Sequence, residues 1–165
     1  MTKTQCNEKA QISVYDGMIA VAIFLLLYFA LDSIWNTNLQ NLQQLQMQNE
    51  MQFKALQAIS VLVKTQGVPF NWEKKPDDAN ALGLIDRKGE VKNEKLSAFA
   101  AMDYNTAQFV LKVAPYDFRF EFDANGTTDD KNIGKIIDAN KTVIALERSV
   151  KFKGGNAIAR LKIFR

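Results

Sequence analysis

Lys9-Ala10-Gln11-Ile12-Ser13-Val14-Tyr15-Asp16 leads through Gly17 into Met18-Ile19-Ala20-Val21-Ala22-Ile23-Phe24-Leu25-Leu26-Leu27-Tyr28-Phe29-Ala30-Leu31, and no charge falls between Gly17 and Leu31. A basic and a small residue precede a polar Gln-x-Ser. One acid follows, and then the apolar run. A helix from Gln11 to Leu31 would be about 30 Å long, the thickness of one hydrocarbon core. Lys3 and Lys9 lie on its N-terminal side. The positive-inside rule therefore keeps the N-terminus in the cytoplasm and sends residues 33–165 outside.

Two readings of this stretch differ in where the chain is cut. A secretory signal is cut after its apolar region, at a small-x-small site. Ala30-Leu31-Asp32 matches that poorly, so the first reading is an uncleaved single-pass anchor. The second places the cut before the apolar run, between Ala10 and Gln11. Here the chain resembles the archaeal type IV pilin-like proteins. Their leaders, the class III signals, end in Lys/Arg-Gly/Ala, and their mature chains open with Gln-x-Ser and an early acid. Ala10 stands where Gly is more usual. The acid is Asp16, with Tyr15 at the preceding position, where many relatives have Glu. The resemblance implies a leader of residues 1–10 removed by a prepilin-type peptidase. It also implies a transmembrane and stem helix over 11–66 and an extracellular head over 67–165.

Asp16 has two readings as well. An acid in a membrane helix costs about 2.5–3.5 kcal/mol at mid-bilayer and less near an interface. Asp16 either sits in the headgroup layer or pairs with the free amine that Gln11 would carry after cleavage, on its own chain or a neighbour's. Two charges that are expensive apart become tolerable together. Such a pair would set subunit register, as the resemblance implies.

The chain has 165 residues, room for one globular domain after an anchor and its stem. Its net charge is +3, and +2 without residues 1–10, which hold Lys3, Lys9 and Glu8. That is too near neutral to argue for nucleic acid, which is not an expected partner. There is no His, and the only Cys is Cys6, inside the leader. A Ser-His-Asp triad, a Cys-His nucleophile and a His/Cys zinc site are thereby excluded. A mature outer domain without disulfides rests on its core alone.

After the anchor, Asp32-Ser33-Ile34-Trp35-Asn36 reads as the membrane–water boundary, where Trp is favoured. Residues 39–64 lack Gly and Pro. Leu42, Leu45, Asn49, Gln52 or Phe53, Leu56, Ile59 and Val63 recur at steps of three and four, predicting one largely apolar stripe. The opposite face is rich in Gln: Gln40, Gln43, Gln44, Gln46, Gln48 and Gln57. The regular apolar spacing favours a helix over a low-complexity Gln tract. From Ile12 to about Lys64 it would extend about 80 Å, too far for one small domain to cover. Its lower part needs lipid or the same helix of other subunits.

Gly67 and Pro69 end the helix. The segment Leu62-Val63-Lys64-Thr65-Gln66-Gly67-Val68-Pro69-Phe70-Asn71-Trp72-Glu73, with the later Leu82-Gly83-Leu84, resembles the segment after the stem in many archaeal pilin-like proteins. Trp72 should dock this loop on the core, with Leu82 and Leu84 anchoring its return. Residues 94–113 predict one helix using Leu96, Phe99, Ala100, Tyr104, Phe109 and Leu111 or Lys112, ended by Pro115. Tyr116-Asp117-Phe118-Arg119-Phe120-Glu121-Phe122-Asp123 alternates strictly and predicts a half-buried strand. Residues 127–141 are turn-rich, with Ile133, Ile136 and Ile137 as anchors. Thr142–Phe152 and Ala157–Phe164 predict a hairpin around Gly154-Gly155-Asn156. The expected fold class is α+β: a long N-terminal helix, membrane segment plus stem, packed against a small antiparallel sheet of three or four strands, in the manner of a type IV pilin.

Asp123, Asn125-Gly126 and Asp129-Asp130 suggest a calcium loop, but Gly is fourth, not sixth, and the twelfth residue is Gly134. A turn is the better reading, so no metal is expected and no cofactor. Lys151, Lys153, Arg160, Lys162 and Arg165 make the last hairpin basic and read as a solvated sheet face. Asn125-Gly126-Thr127 and Asn140-Lys141-Thr142 are sequons in turn-rich segments, so Asn125 and Asn140 are glycosylation candidates. No carboxylate pair sits in a catalytic setting, so an enzyme is not expected. The resemblance implies a membrane precursor that becomes an extracellular filament subunit, major or minor, self-assembled into a homo- or hetero-filament and serving in adhesion. It contacts lipid before assembly. The alternative is a monomeric anchored binding domain.

Overall fold

The computed structural model describes residues 5–124 and 129–165, with side chains from residue 15 onward. The chain divides into two units, one ending at Met47 and the other running from Gln48 to Arg165. One helix, α1 (Gln5–Lys64), supplies nearly all of the first unit and the opening segment of the second. It starts earlier than the expected Ile12. Gln5–Ala10 carries Gln, Glu, Lys and Ala and no breaker, so an existing helix extends into it at little cost.

Within the second unit α1 ends where the sequence placed its stop. The Thr65 hydroxyl donates to the Val61 carbonyl at 2.8 Å, and Gly67 takes φ +80°. The returning loop closes tightly on this end. A Cβ on Gly83 would lie 2.2 Å from the Thr65 carbonyl oxygen, so only glycine fits. The Leu84 N–H donates to Leu62 O at 2.8 Å, and the Trp72 indole N–H to Gly83 O at 2.9 Å. Trp72, Leu82 and Leu84 are fully buried, as expected.

The helix predicted over 94–113 is two helices, α2 (Asn93–Ala101) and α3 (Tyr104–Val110). Asp103 breaks it. Its carboxylate accepts from Asn105 N at 3.0 Å and Thr106 N at 3.1 Å, so it starts a new helix rather than continuing the old one. Phe109, counted toward the apolar face, is exposed.

Four strands follow: β1 (Asp117–Asp123), β2 (Lys131–Gly134), β3 (Val143–Phe152) and β4 (Gly155–Phe164). They form one antiparallel sheet in the order β2-β1-β4-β3. The alternation of β1 holds: Phe118, Phe120 and Phe122 face inward beside buried Tyr116. β2 falls in the segment read as turns. Of the three expected anchors there, Ile133 is buried opposite Phe120, Ile137 is half-buried and Ile136 is exposed. The β3–β4 turn is Lys153-Gly154, with φ 48° and 79°, the two positive values a twisted two-residue hairpin needs. Gly155 and Asn156 belong to β4.

The core of this unit joins the sheet's inner face to α2, α3, the Trp72 loop and one face of α1. Phe99 meets Phe118 and Phe120 at ring-centroid distances of 6.3 and 5.6 Å, and Tyr104 stacks on Phe118 at 5.2 Å. From α1 come Met51, Ala55, Ala58, Ile59 and Leu62. This is not the expected stripe. Of that stripe only Ile59 is buried in the core; Leu42, Leu45, Phe53 and Leu56 are exposed. The buried face mixes two alanines with Met51, Ile59 and Leu62.

Candidate membrane and assembly surface

From Gly17 to Asn49 the only charged residue is Asp32. This stretch is helical, and by length and composition it holds a helix able to cross a membrane. None of that apolar window is buried by the chain itself. Met18, Phe24, Leu26 and Phe29 are each about two-thirds exposed (64–71%). So much contiguous apolar surface is unfavourable in water and calls for lipid or protein over it.

Polar groups sit at the margins of the run. Asp16 is exposed on α1, and Asp32 accepts from the Asn36 side-chain amide at 3.2 Å, one turn on. The Thr37 hydroxyl turns back to Ser33 O at 2.9 Å, which leaves it no demand on a partner. Trp35 stands exposed beside them. Ala10 and Gln11 both lie in the helical backbone of α1; their side chains are outside the described set, so the Gln11–Asp16 pairing is too. Exposed apolar residues continue past Trp35: Leu39, Leu42 and Leu45 in the first unit, Phe53 and Leu56 in the second.

At the start of the second unit α1 changes character. The Tyr116 hydroxyl donates to Glu50 Oε2 at 3.0 Å, and Lys54 pairs with Glu50 at 3.2 Å. The bonds from Lys54 and then Tyr116 hold the Glu50 carboxyl below its usual range. Lys54 Nζ also donates to Ala114 O and lies 5.2 Å from the Tyr116 ring centroid.

The outer sheet face is charged and internally paired. Glu121 accepts from Lys162 at 2.7 Å, Arg119 at 2.9 Å and Arg160 at 3.2 Å, and Arg160 also pairs with Glu147. Burial pushes the Glu121 carboxyl up, but the three cations outweigh it and hold it low. Lys153 pairs with Asp129 at 2.7 Å. Arg160, Lys162 and Lys153 thus spend their charge within the sheet face and its margin.

Asp130 Oδ1 accepts from Ala124 N at 2.9 Å. Among the described residues no group of three or more His, Cys, Asp or Glu could hold a metal. Asn140 is exposed in a turn where Lys141 N donates to Asp138 O. Asn125 lies outside the described residues.

Sequence reasoning missed one polar cluster. Lys95 on α2 is 2% exposed, and its ammonium donates to Gln66 O and Ile85 O. Burial pushes its pKa down. Lys92 donates to Glu73 Oε1 at 3.1 Å. Burial raises the Glu73 carboxyl, but its own backbone N–H and Lys92 bring it below the usual range. The available signal was the spacing: Lys95, Leu96 and Phe99 share one helix face, and the first is a cation on an apolar side.

No family model, no curated protein and no solved structure matches this chain.

Proposed function

We propose that this chain is the structural subunit, major or minor, of an archaeal type IV pilus-like surface filament. It is made as a membrane precursor with its N-terminus in the cytoplasm and trimmed between Ala10 and Gln11 by a prepilin-type peptidase. It then assembles through α1 and is itself no enzyme. The Lys9-Ala10-Gln11-x-Ser13 pattern with Asp16 supports the processing step. The observation that carries the reading is the exposed apolar surface that runs past the length a membrane needs. A span from Gln11 to Leu31 already fills a hydrocarbon core. Leu45 lies about 21 Å further along the helix. Lipid does not reach there if Trp35 marks the interface, whereas the same helix of neighbouring subunits would cover Leu39, Leu42 and Leu45. A monomeric anchored domain leaves those residues in water. The head carries the outer surface, with Asn140 and Asn125 as glycan acceptors and adhesion as its role.

The test is peptide mass spectrometry of the N-terminus, on material sheared from native cells and on the membrane fraction. A terminus at Gln11 in the sheared fraction is expected. An intact Met1 or Thr2 terminus found only in membranes would sink the filament reading.

A further inference from the structure

A cavity of about 150 Å³ opens in the second unit between the loop after α1 and helix α2. Gln66, Phe70, Glu73, Arg87, Lys92 and Lys95 line it. Asp86 borders it too, but its Oδ1 already accepts from Lys88 N at 2.8 Å and Glu90 N at 3.1 Å.

Two of the lining groups are buried, and the hydrogen bonds among the described residues do not use all of their polar sites. The Glu73 side chain is 10% exposed, its Oε1 accepts from Lys92, and its Oε2 is buried without a hydrogen-bond partner among the described residues. An ammonium has three N–H donors, and the two carbonyls that Lys95 meets use two of them. A buried carboxylate oxygen that lacks a donor is costly, so its natural complement is a group that donates.

Charge narrows the choice. Arg87, Lys92 and Lys95 stand against Glu73 and Asp86, so a cation meets a net positive wall. An anion would meet the bare Glu73 oxygen. A neutral hydroxyl suits both groups, donating to Glu73 Oε2 while accepting from Lys95. The Phe70 ring is 59% exposed at the rim, with the Arg87 guanidinium 5.7 Å from its centroid. Its remaining apolar surface suits the C–H face of a ring. A cavity of this volume holds the ring itself, and its open mouth leaves further substituents in solvent.

We propose that this cavity binds a neutral polyhydroxylated ring, a pyranose sugar, with adjacent hydroxyls on Glu73 and Lys95 and its C–H face on Phe70. The site lies within the second unit alone and does not depend on how α1 assembles.

The test is saturation-transfer NMR on the full chain in micelles of a phosphocholine detergent, which carries no sugar headgroup. The probes are D-glucose, D-galactose, D-mannose and N-acetyl-D-glucosamine. Saturable transfer to at least one is expected with Kd of about 1 mM or weaker, as for a single small ring. Glu73→Gln and Phe70→Ala should each weaken it about tenfold. Phe70 is exposed, so its variant keeps the fold, which the near-UV signal of Trp72 checks. Absence of saturable transfer from every pyranose, wild-type affinity in both variants, or binding of phosphate or an alkylamine in place of the sugars would overturn the proposal.

Discussion

Residues 17–47 and residues 48–64 belong to the same helix, yet they meet their surroundings in opposite ways. The first stretch presents large apolar side chains, Phe24, Leu26, Phe29 and Leu31 among them, and the chain covers none of them. The second mixes Gln, Glu and Lys with modest apolar residues, and buries Met51, Ala55, Ala58, Ile59 and Leu62. Hydrophobicity along the sequence is therefore a poor guide to what the head uses. The face that meets protein of the same chain mixes Met51, Ile59 and Leu62 with Ala55 and Ala58, whereas the first stretch leaves its large side chains for lipid or another molecule. The practical consequence is that α1 should split by mutation into a part that sets head stability and a part that sets anchoring and assembly.

The largest effect expected on the head is from Leu62→Ala. Leu62 is fully buried, and its carbonyl accepts from Leu84 N. Truncation should cost about 2–5 kcal/mol, read as a lower thermal midpoint in the near-UV signal of Trp72. Phe24→Asp should leave that midpoint unmoved and instead deplete the protein from the membrane fraction, at about 2.5–3.5 kcal/mol in insertion. A lowered midpoint in Phe24→Asp would break the comparison, because it would show the head leaning on the first unit.

What was legible in the sequence follows from the same contrast. The apolar run, the helix stop at Lys64, the Trp72 loop, the aromatic alternation of β1 and the closing hairpin all rest on strong local signals: length, Gly and Pro, and period two. The face of α1 that the head buries includes Ala55 and Ala58, which carry almost no hydrophobic signal, and the expected stripe shared only Ile59 with it, its Leu42, Leu45, Phe53 and Leu56 lying exposed. β2 has four residues and one inward apolar side chain, Ile133, too little to show a period. The α2–α3 break was readable in principle, since Asp103 is a cap-type residue. The burial of Lys95 was hinted at by its place beside Leu96 and Phe99, but its meeting with Glu73 was not readable, because the cluster joins residues from three segments. Of the expected sites, Asp16 and Asn140 are exposed, and Ala10 and Gln11 lie in the α1 backbone.

Two smaller effects sharpen the head's side of the comparison. Asp103→Ala removes the cap of α3 and should cost about 1 kcal/mol of thermal stability, with no effect on membrane fractionation. Glu121 predicts an acid dependence. Its folded carboxyl lies below the ordinary 4.5 because Lys162, Arg119 and Arg160 outweigh burial. A depressed carboxyl contributes stability above its unfolded value and loses it as pH falls through the folded one. Wild-type head should therefore lose stability below about pH 4.5, and Glu121→Gln should flatten that decline in a melting series from pH 7 to 3. An unchanged slope would place the acid sensitivity in other carboxylates.

The smallest effect on the head is expected at Phe53 and Leu56, and it decides most about assembly. Both lie in the second unit, among residues whose neighbours on α1 are buried, yet Phe53 is 67% exposed. If the head were their only partner, truncating them would be almost silent. Surface substitutions of this kind move stability by no more than about 0.5 kcal/mol. In a filament the same side chains would meet another subunit, and Phe53→Ala with Leu56→Ala would lower the yield of sheared filament while the thermal midpoint and membrane fraction stay at wild-type values. A double variant that melts, fractionates and shears like wild type would assign these residues to water and remove the upper part of α1 from the assembly surface. The apolar excess past Trp35 would then rest on Leu39, Leu42 and Leu45 alone.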